Sequence, residues 1–254
     1  MFFSKSGTFK PCGIFTIGHL LLTVITIIFV TIALRKTIKM NVKEIIKKCT
    51  IFLWIFEVII ITFKISENGI LNVNRYVPLY YCSLLLYAGL LSSFGKGKIK
   101  RMGDIFLATG TLIGGITYLI YPSTSLPEYP MLHLVSIHSF IFHGILIYIG
   151  LLINITNYIE LKKDDILYYS VFVGIACVLA HLVNCIFDSN LMFISKNFPG
   201  TIIEIMFNVT GKFYTLFAII GQMTIPFFTI YGIKKIFKEK DKIVFETETN
   251  IAIK

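Results

Sequence analysis

Long apolar blocks separated by short charged segments constrain the fold of this chain more than any other feature of its sequence. A helix that crosses the hydrocarbon core of a bilayer needs about 20 predominantly apolar residues. The first block contains no Asp, Glu, Lys or Arg. In all, the apolar blocks predict seven spanning helices, at about residues 11–34, 46–63, 76–94, 104–121, 131–155, 166–187 and 213–233. We therefore predict an all-α membrane protein, a seven-transmembrane-helix bundle that is a multi-pass protein of the cell membrane.

The segments between the apolar blocks are too short to form a soluble domain. We therefore predict a single polytopic membrane domain over residues 1–254, which ends in a basic cytoplasmic tail at residues 234–254. Only 15% of the residues are charged, whereas a soluble domain has about 25%. The net charge of +10 lies mainly in short loops beside apolar blocks, so we expect no nucleic-acid partner. No sequence feature predicts an obligatory protein partner.

The distribution of lysine and arginine predicts the orientation of the bundle. When successive loops are assigned to alternate sides, six of the 24 basic residues lie on the side of the N-terminus and eighteen on the other. Basic residues collect on the cytoplasmic side of membrane proteins. We therefore expect the N-terminus outside and the C-terminus in the cytoplasm.

Neither cysteine nor histidine spacing predicts a metal site. The cysteines form no CxxC pair, and their number is odd, which disfavours a disulfide framework or a zinc site; they are Cys12, Cys49, Cys82, Cys177 and Cys185. A site formed by His138, His143 and His181 is also disfavoured. Residues 138 and 143 are separated by about 140° around a helix and do not share a face. We expect no metal and no dissociable cofactor.

Polar residues inside the predicted spans converge at one depth, in the outer half of the membrane. At a rise of about 1.5 Å per residue, Cys82 lies roughly 10 Å inside the outer end of the third span. The other members of this group are His19, Tyr118, Tyr121, His138, His143, His181, Asn184 and Asp188. Such residues are costly in lipid and often functional. A lone histidine or asparagine, however, also commonly bridges two helices by a hydrogen bond.

Cys82 follows a proline at a spacing that predicts a position near the start of a helix. Pro78 suits the first helical turn, where its missing N–H costs little, and this places Cys82 in the second turn. A thiol near the positive end of a helix dipole, with a histidine within hydrogen-bond reach, can act as a nucleophile. The alternative is a buried thiol with a structural role.

Three short segments resemble those of the bacterial YwaF-type integral membrane proteins. They are VPLYYCS at residues 77–83, SFIFHG at 139–144, and the stretch from Leu182 to Pro199 that contains Asn184 and Asn190. The resemblance extends over nearly the whole chain and implies seven helices. Tyr80 and Leu191 depart from the pattern of that family, which has His and Tyr at these places.

Eukaryotic relatives of that family resemble membrane acyltransferases of phospholipid remodelling, with an intramembrane Cys and His as the working pair. The resemblance implies that Cys82 is the nucleophile and His143 the base of a lipid acyltransferase or acyl hydrolase acting on membrane phospholipids. The residues that we then expect to contact substrate are Tyr80, Tyr118, His138, His181, Asn184 and Asn190. The alternative is a non-enzymatic transporter or receptor-like membrane protein with a polar outer cavity.

Overall fold

The computed structural model describes residues 2, 3 and 7–252, with side chains as far as Lys238. All regular structure in that part of the chain is helical. The helices are α1 (Ile17–Thr37), α2 (Val42–Asn68), α3 (Val73–Tyr76), α4 (Leu84–Phe94), α5 (Gly97–Ile120), α6 (Leu134–Ile155), α7 (Ile166–Phe187), α8 (Ile202–Thr210) and α9 (Tyr214–Ala252). Short 3-10 turns occupy Lys163–Asp165, Leu191–Phe193 and Gly211–Phe213.

Six segments in the described part of the chain are long and apolar enough to cross a membrane. They are α1, α2, α5, α6, α7 with its preceding turn, and the α8–α9 segment Ile202–Lys238. Helix α4 is apolar but has only 11 residues. It is therefore about 16 Å long, roughly half the thickness of the hydrocarbon core. The described part of the chain therefore has six long apolar helices, whereas the sequence predicted seven spans. The difference lies in the third predicted span.

The third predicted span is interrupted around Pro78. Helix α3 ends at Tyr76 and α4 begins at Leu84. Proline lacks a backbone N–H and pushes the preceding residue out of the helical region, and Val77 has the extended angles φ −70° and ψ 120°. Cys82 consequently lies two residues before the first residue of α4. The prediction that it occupies the second turn of a helix was wrong.

Helices α5 and α6 form the centre of the bundle. In their most apolar windows 78% and 72% of the residues are buried, against 17% in α1 and 22% in α2. Glycines allow this close packing, because small residues let helix backbones approach one another. A Cβ at Gly103 would lie 2.5 Å from the carbonyl oxygen of Ala88 on α4, and a Cβ at Gly115 would lie 2.5 Å from Cγ1 of Ile147 on α6.

Polar and charged side chains fix the N-terminal end of α5. Buried Asp104 accepts a hydrogen bond of 2.6 Å from Ser92 Oγ on α4, and its other oxygen lies 2.5 Å from Lys100 Nζ. Arg101 donates to both carboxylate oxygens of Asp165, at 3.1 and 2.5 Å, in the turn that precedes α7. These bonds set the position of α5, whose opposite end contributes to the functional site.

Candidate functional site

A cavity of about 420 Å³ lies between α2, α5, α6 and the irregular segment 77–83. It is bounded by the C-terminal part of α5 and the N-terminal part of α6. Five of the predicted site residues line it: Tyr80, Cys82, Tyr118, His138 and His143. The structure thus brings the predicted nucleophile and the predicted base to the lining of one cavity.

The irregular segment and a glycine of α5 together place the Cys82 thiol. The segment is held by successive turn hydrogen bonds that lead into α4, such as those from Ser83 N to Tyr80 O and from Leu85 N to Cys82 O. The Sγ atom lies 3.7 Å from the carbonyl oxygen of Gly114. A Cβ at Gly114 would lie 3.1 Å from this sulfur. The absence of a side chain at position 114 therefore makes room for the thiol.

His143 is held in one tautomer by its own helix. Its Nδ1 lies 2.7 Å from the carbonyl oxygen of Ser139, one turn earlier in α6. Because a carbonyl oxygen only accepts hydrogen bonds, Nδ1 must carry the proton of this bond. The neutral ring then has its lone pair on Nε2. This is the arrangement that a histidine base requires.

Tyr118 fixes the plane of the His143 ring. The two rings are stacked, with centroids 3.6 Å apart and planes 10° apart. The Tyr118 hydroxyl is itself anchored 2.5 Å from Ser125 Oγ. Tyr118 follows Gly114 by one turn of α5, so neighbouring turns of the same helix contact the Cys82 thiol and the His143 imidazole.

His138 lies beside a carboxylate that sequence reasoning did not assign to the site. Its Nε2 is 3.2 Å from Glu57 Oε2 on α2. Glu57, Lys64 and Arg75 all line the cavity, although none was predicted to do so. The spacing of seven residues between Glu57 and Lys64 places them on one face of α2. The spacing of Glu57 and Lys64 was therefore a pattern in the sequence from which these two residues could have been predicted.

Three predicted residues do not line this cavity. His181 lies on α7, with Nε2 3.7 Å from the Cys185 thiol. Asn184 and Asn190 instead hold together the loop that follows α7. The Asn190 side chain accepts from the backbone N–H groups of Ser195 and Lys196, at 3.1 and 3.0 Å. Their contribution to the cavity is indirect, because the same loop carries Phe193, which does line it.

Replacement of Asn184 with alanine is expected to destabilise this loop. The buried Asn184 amide accepts from Ser189 Oγ and Leu191 N, each at 2.7 Å, and donates to Leu191 O and Ser195 Oγ at 3.1 and 2.8 Å. Loss of these bonds leaves buried groups unpaired, and we expect a cost of about 2–3 kcal/mol. Thermal unfolding of the detergent-solubilised protein measures it. Asn208→Ala, at an exposed position of α8, is the matched control, and equal shifts for the two variants would refute the assignment.

These features define a multi-pass helical membrane protein with a polar cavity inside the bundle. The TMEM164 family model matches residues 12–231. The chain therefore belongs to the TMEM164 family, a family of transmembrane proteins. No curated protein and no solved structure matches the chain.

Proposed function

We propose that this protein is a membrane-embedded lipid acyltransferase or acyl hydrolase, with Cys82 as its nucleophile and His143 as its base. One observation carries the proposal. Cys82 and His143 line the same cavity, and the bond from His143 Nδ1 to Ser139 O leaves Nε2 as the nitrogen that can accept a proton. A thiol and a histidine base are the components of cysteine acyl transfer.

The reaction proceeds through a thioester. His143 Nε2 takes the proton of the Cys82 thiol while the sulfur attacks the carbonyl carbon of an acyl ester. The ester C–O bond breaks, and the leaving alcohol receives the proton from His143. A second alcohol then attacks the thioester to complete acyl transfer, or water attacks it to release a fatty acid. In either case the thiol recovers its proton.

Backbone donors beside Cys82 suit the negative charge that develops during this reaction. Turn hydrogen bonds begin at the N–H of Ser83 and continue at Leu84 and Leu85. Within the described residues, the N–H groups of Tyr81 and Cys82 donate to no other residue. Donors of this kind stabilise an oxyanion when they are fixed in place before the reaction. We assign that role to these two amides.

The proposed substrate is a phospholipid of the surrounding membrane. The proposed topology has seven crossings, with the broken segment 76–94 as the third, the N-terminus outside, and the cavity in the outer half of the cell membrane. Tyr80, Tyr118 and His138 contact substrate in this arrangement. Asn184 and Asn190 act through the loop that they hold, and His181 makes no substrate contact.

The proposal is tested by following one acyl chain. Purified protein is incubated with a phospholipid that carries an isotopically labelled acyl chain, with and without a lysophospholipid acceptor. We expect the label on Cys82 as a thioester that neutral hydroxylamine releases, followed by its appearance in the acceptor lipid or as free fatty acid. Peptide mass spectrometry identifies the labelled residue. Neither adduct nor product would reject the enzyme and favour a transporter or receptor-like protein.

A further inference from the structure

The rim of the cavity carries charged residues that the proposed chemistry does not use. Lys64 lies on α2, seven residues beyond Glu57, which is about 10 Å further along the helix. Arg75 lies on α3, and Glu128 lies in the connection between α5 and α6. All four line the cavity. The Arg75 and Glu128 side chains are 38% and 35% exposed, whereas His143 is only 7% exposed. We therefore call the part of the lining that carries Lys64, Arg75 and Glu128 the entrance of the cavity.

Most carboxylates near this entrance already have partners. Glu128 forms an ion pair with Arg75, and Glu57 lies 3.2 Å from His138. Glu67 accepts a hydrogen bond of 2.9 Å from the Tyr129 hydroxyl. Burial and this contact with Glu67 raise the pKa of Tyr129, so the phenol remains a donor. Glu128 and Glu67 are thus each bonded to another side chain, and Glu57 lies beside His138.

Lys64 takes part in none of these contacts. Its side chain is partly buried, and among the residues that the structure describes its ammonium has no ion-pair partner. A cation withdrawn from water is costly unless an anion compensates it. Lys64 lines a cavity of about 420 Å³, which is large enough to admit such an anion.

We propose that Lys64 and Arg75 bind the phosphate of a glycerophospholipid at the entrance of the cavity. This inference rests on the proposed function and adds the headgroup site to it. Lys64 supplies a point charge, and Arg75, which Glu128 holds in place, supplies a planar set of donors. The phosphate then remains at the rim while the glycerol esters reach towards Cys82.

The walls beside the rim favour a lipid over free phosphate. Aromatic side chains line the cavity next to the charged residues, among them Tyr80, Phe193 and Phe198. The Tyr80 and Phe193 rings pack with centroids 5.2 Å apart, and Phe193 and Phe198 with centroids 4.8 Å apart. An apolar wall next to a cationic group matches a ligand with acyl chains and one phosphate.

Binding is measured in full-length protein that carries Cys82→Ala, so that no ester is consumed. The probes are short-chain phosphatidylglycerol, the diacylglycerol with the same chains, and inorganic phosphate, each followed by native mass spectrometry or thermophoresis. We expect phosphatidylglycerol to bind at least tenfold more tightly than diacylglycerol. Adding Lys64→Met should remove this difference without changing the affinity for diacylglycerol. Lys64→Arg should retain the difference, because it keeps the charge.

The matched control is Lys212→Met, which removes an exposed cation near α9 and should leave all affinities unchanged. Unaltered phosphatidylglycerol binding by Lys64→Met would overturn the headgroup site, as would equal affinity of the starting protein for phosphatidylglycerol and diacylglycerol. Binding of inorganic phosphate without phosphatidylglycerol would overturn the lipid assignment. Because the measurement needs no turnover, failure of acyl transfer in the wild-type protein leaves this test intact.

Discussion

Replacement of Cys82 with alanine is expected to abolish acyl transfer by the purified protein. In the proposed reaction the sulfur forms the bond to the acyl group, and no other thiol lines the cavity within the described residues. Loss of a covalent nucleophile commonly lowers turnover by on the order of 10³-fold or more. The readout is the rate at which the labelled acyl chain appears in the phospholipid formed from the lysophospholipid acceptor, or as free fatty acid. The amount of labelled protein is measured as well.

Cys185→Ala is the matched control, because it removes an exposed thiol on α7 and should leave both readouts unchanged. His143→Gln should lower the rate by about 10²- to 10⁴-fold through loss of the base. Thermal unfolding of each variant separates loss of chemistry from loss of fold. Retained transfer in well-folded Cys82→Ala protein would contradict the assignment of the nucleophile.

Replacement of Gly103 with valine is expected to lower the free energy of unfolding more than Asn184→Ala does. A Cβ there would lie 2.5 Å from the carbonyl oxygen of Ala88 and 2.6 Å from the backbone N of Ser92. These are backbone atoms of α4, so no side-chain rotation can relieve the contact, and α4 and α5 must separate. We expect a cost of about 3 kcal/mol or more. Thermal or denaturant unfolding in detergent measures it.

The control for Gly103→Val is an alanine at Gly232, on α9. A Cβ at Gly232 meets no atom within 4 Å, and alanine favours a helix over glycine by about 1 kcal/mol. Gly232→Ala should therefore be neutral or slightly stabilising. A Gly103→Val protein that unfolds at the wild-type temperature would show that α4 and α5 are not packed as closely as the structure has them.

The long helices were predictable because the length of an apolar stretch indicates whether it forms a helix that can span the membrane. The predicted range 166–187 has the same limits as α7 (Ile166–Phe187), because a stretch without Asp, Glu, Lys or Arg begins just after Asp164 and Asp165. The range 76–94 also contains no Asp, Glu, Lys or Arg, yet it contains a break. Hydropathy measures only how apolar the side chains are. It does not include the missing N–H of Pro78 or the steric effect of Pro78 on Val77, and these cause the break.

The sequence predicted which residues would gather at the cavity in part, but it did not predict the direction in which each helix faces. Motif and depth brought Cys82, His138 and His143 together, and the structure places all three at one cavity. Asn184 has a similar predicted depth, but its amide bonds the loop at Ser189 and Leu191. Which way a helix turns its face depends on its packing against neighbours, and a single sequence does not contain that information.

The bond from His143 Nδ1 to Ser139 O has a consequence for the order of events in the proposed reaction. With one ring nitrogen committed to the backbone, the thiol, the departing alcohol and the incoming alcohol must all exchange protons with the same atom. They must do so in succession, because one nitrogen serves one partner at a time. Because the acyl group is held on Cys82 as a thioester, the first product can leave before the acceptor reaches Nε2, which is a ping-pong sequence.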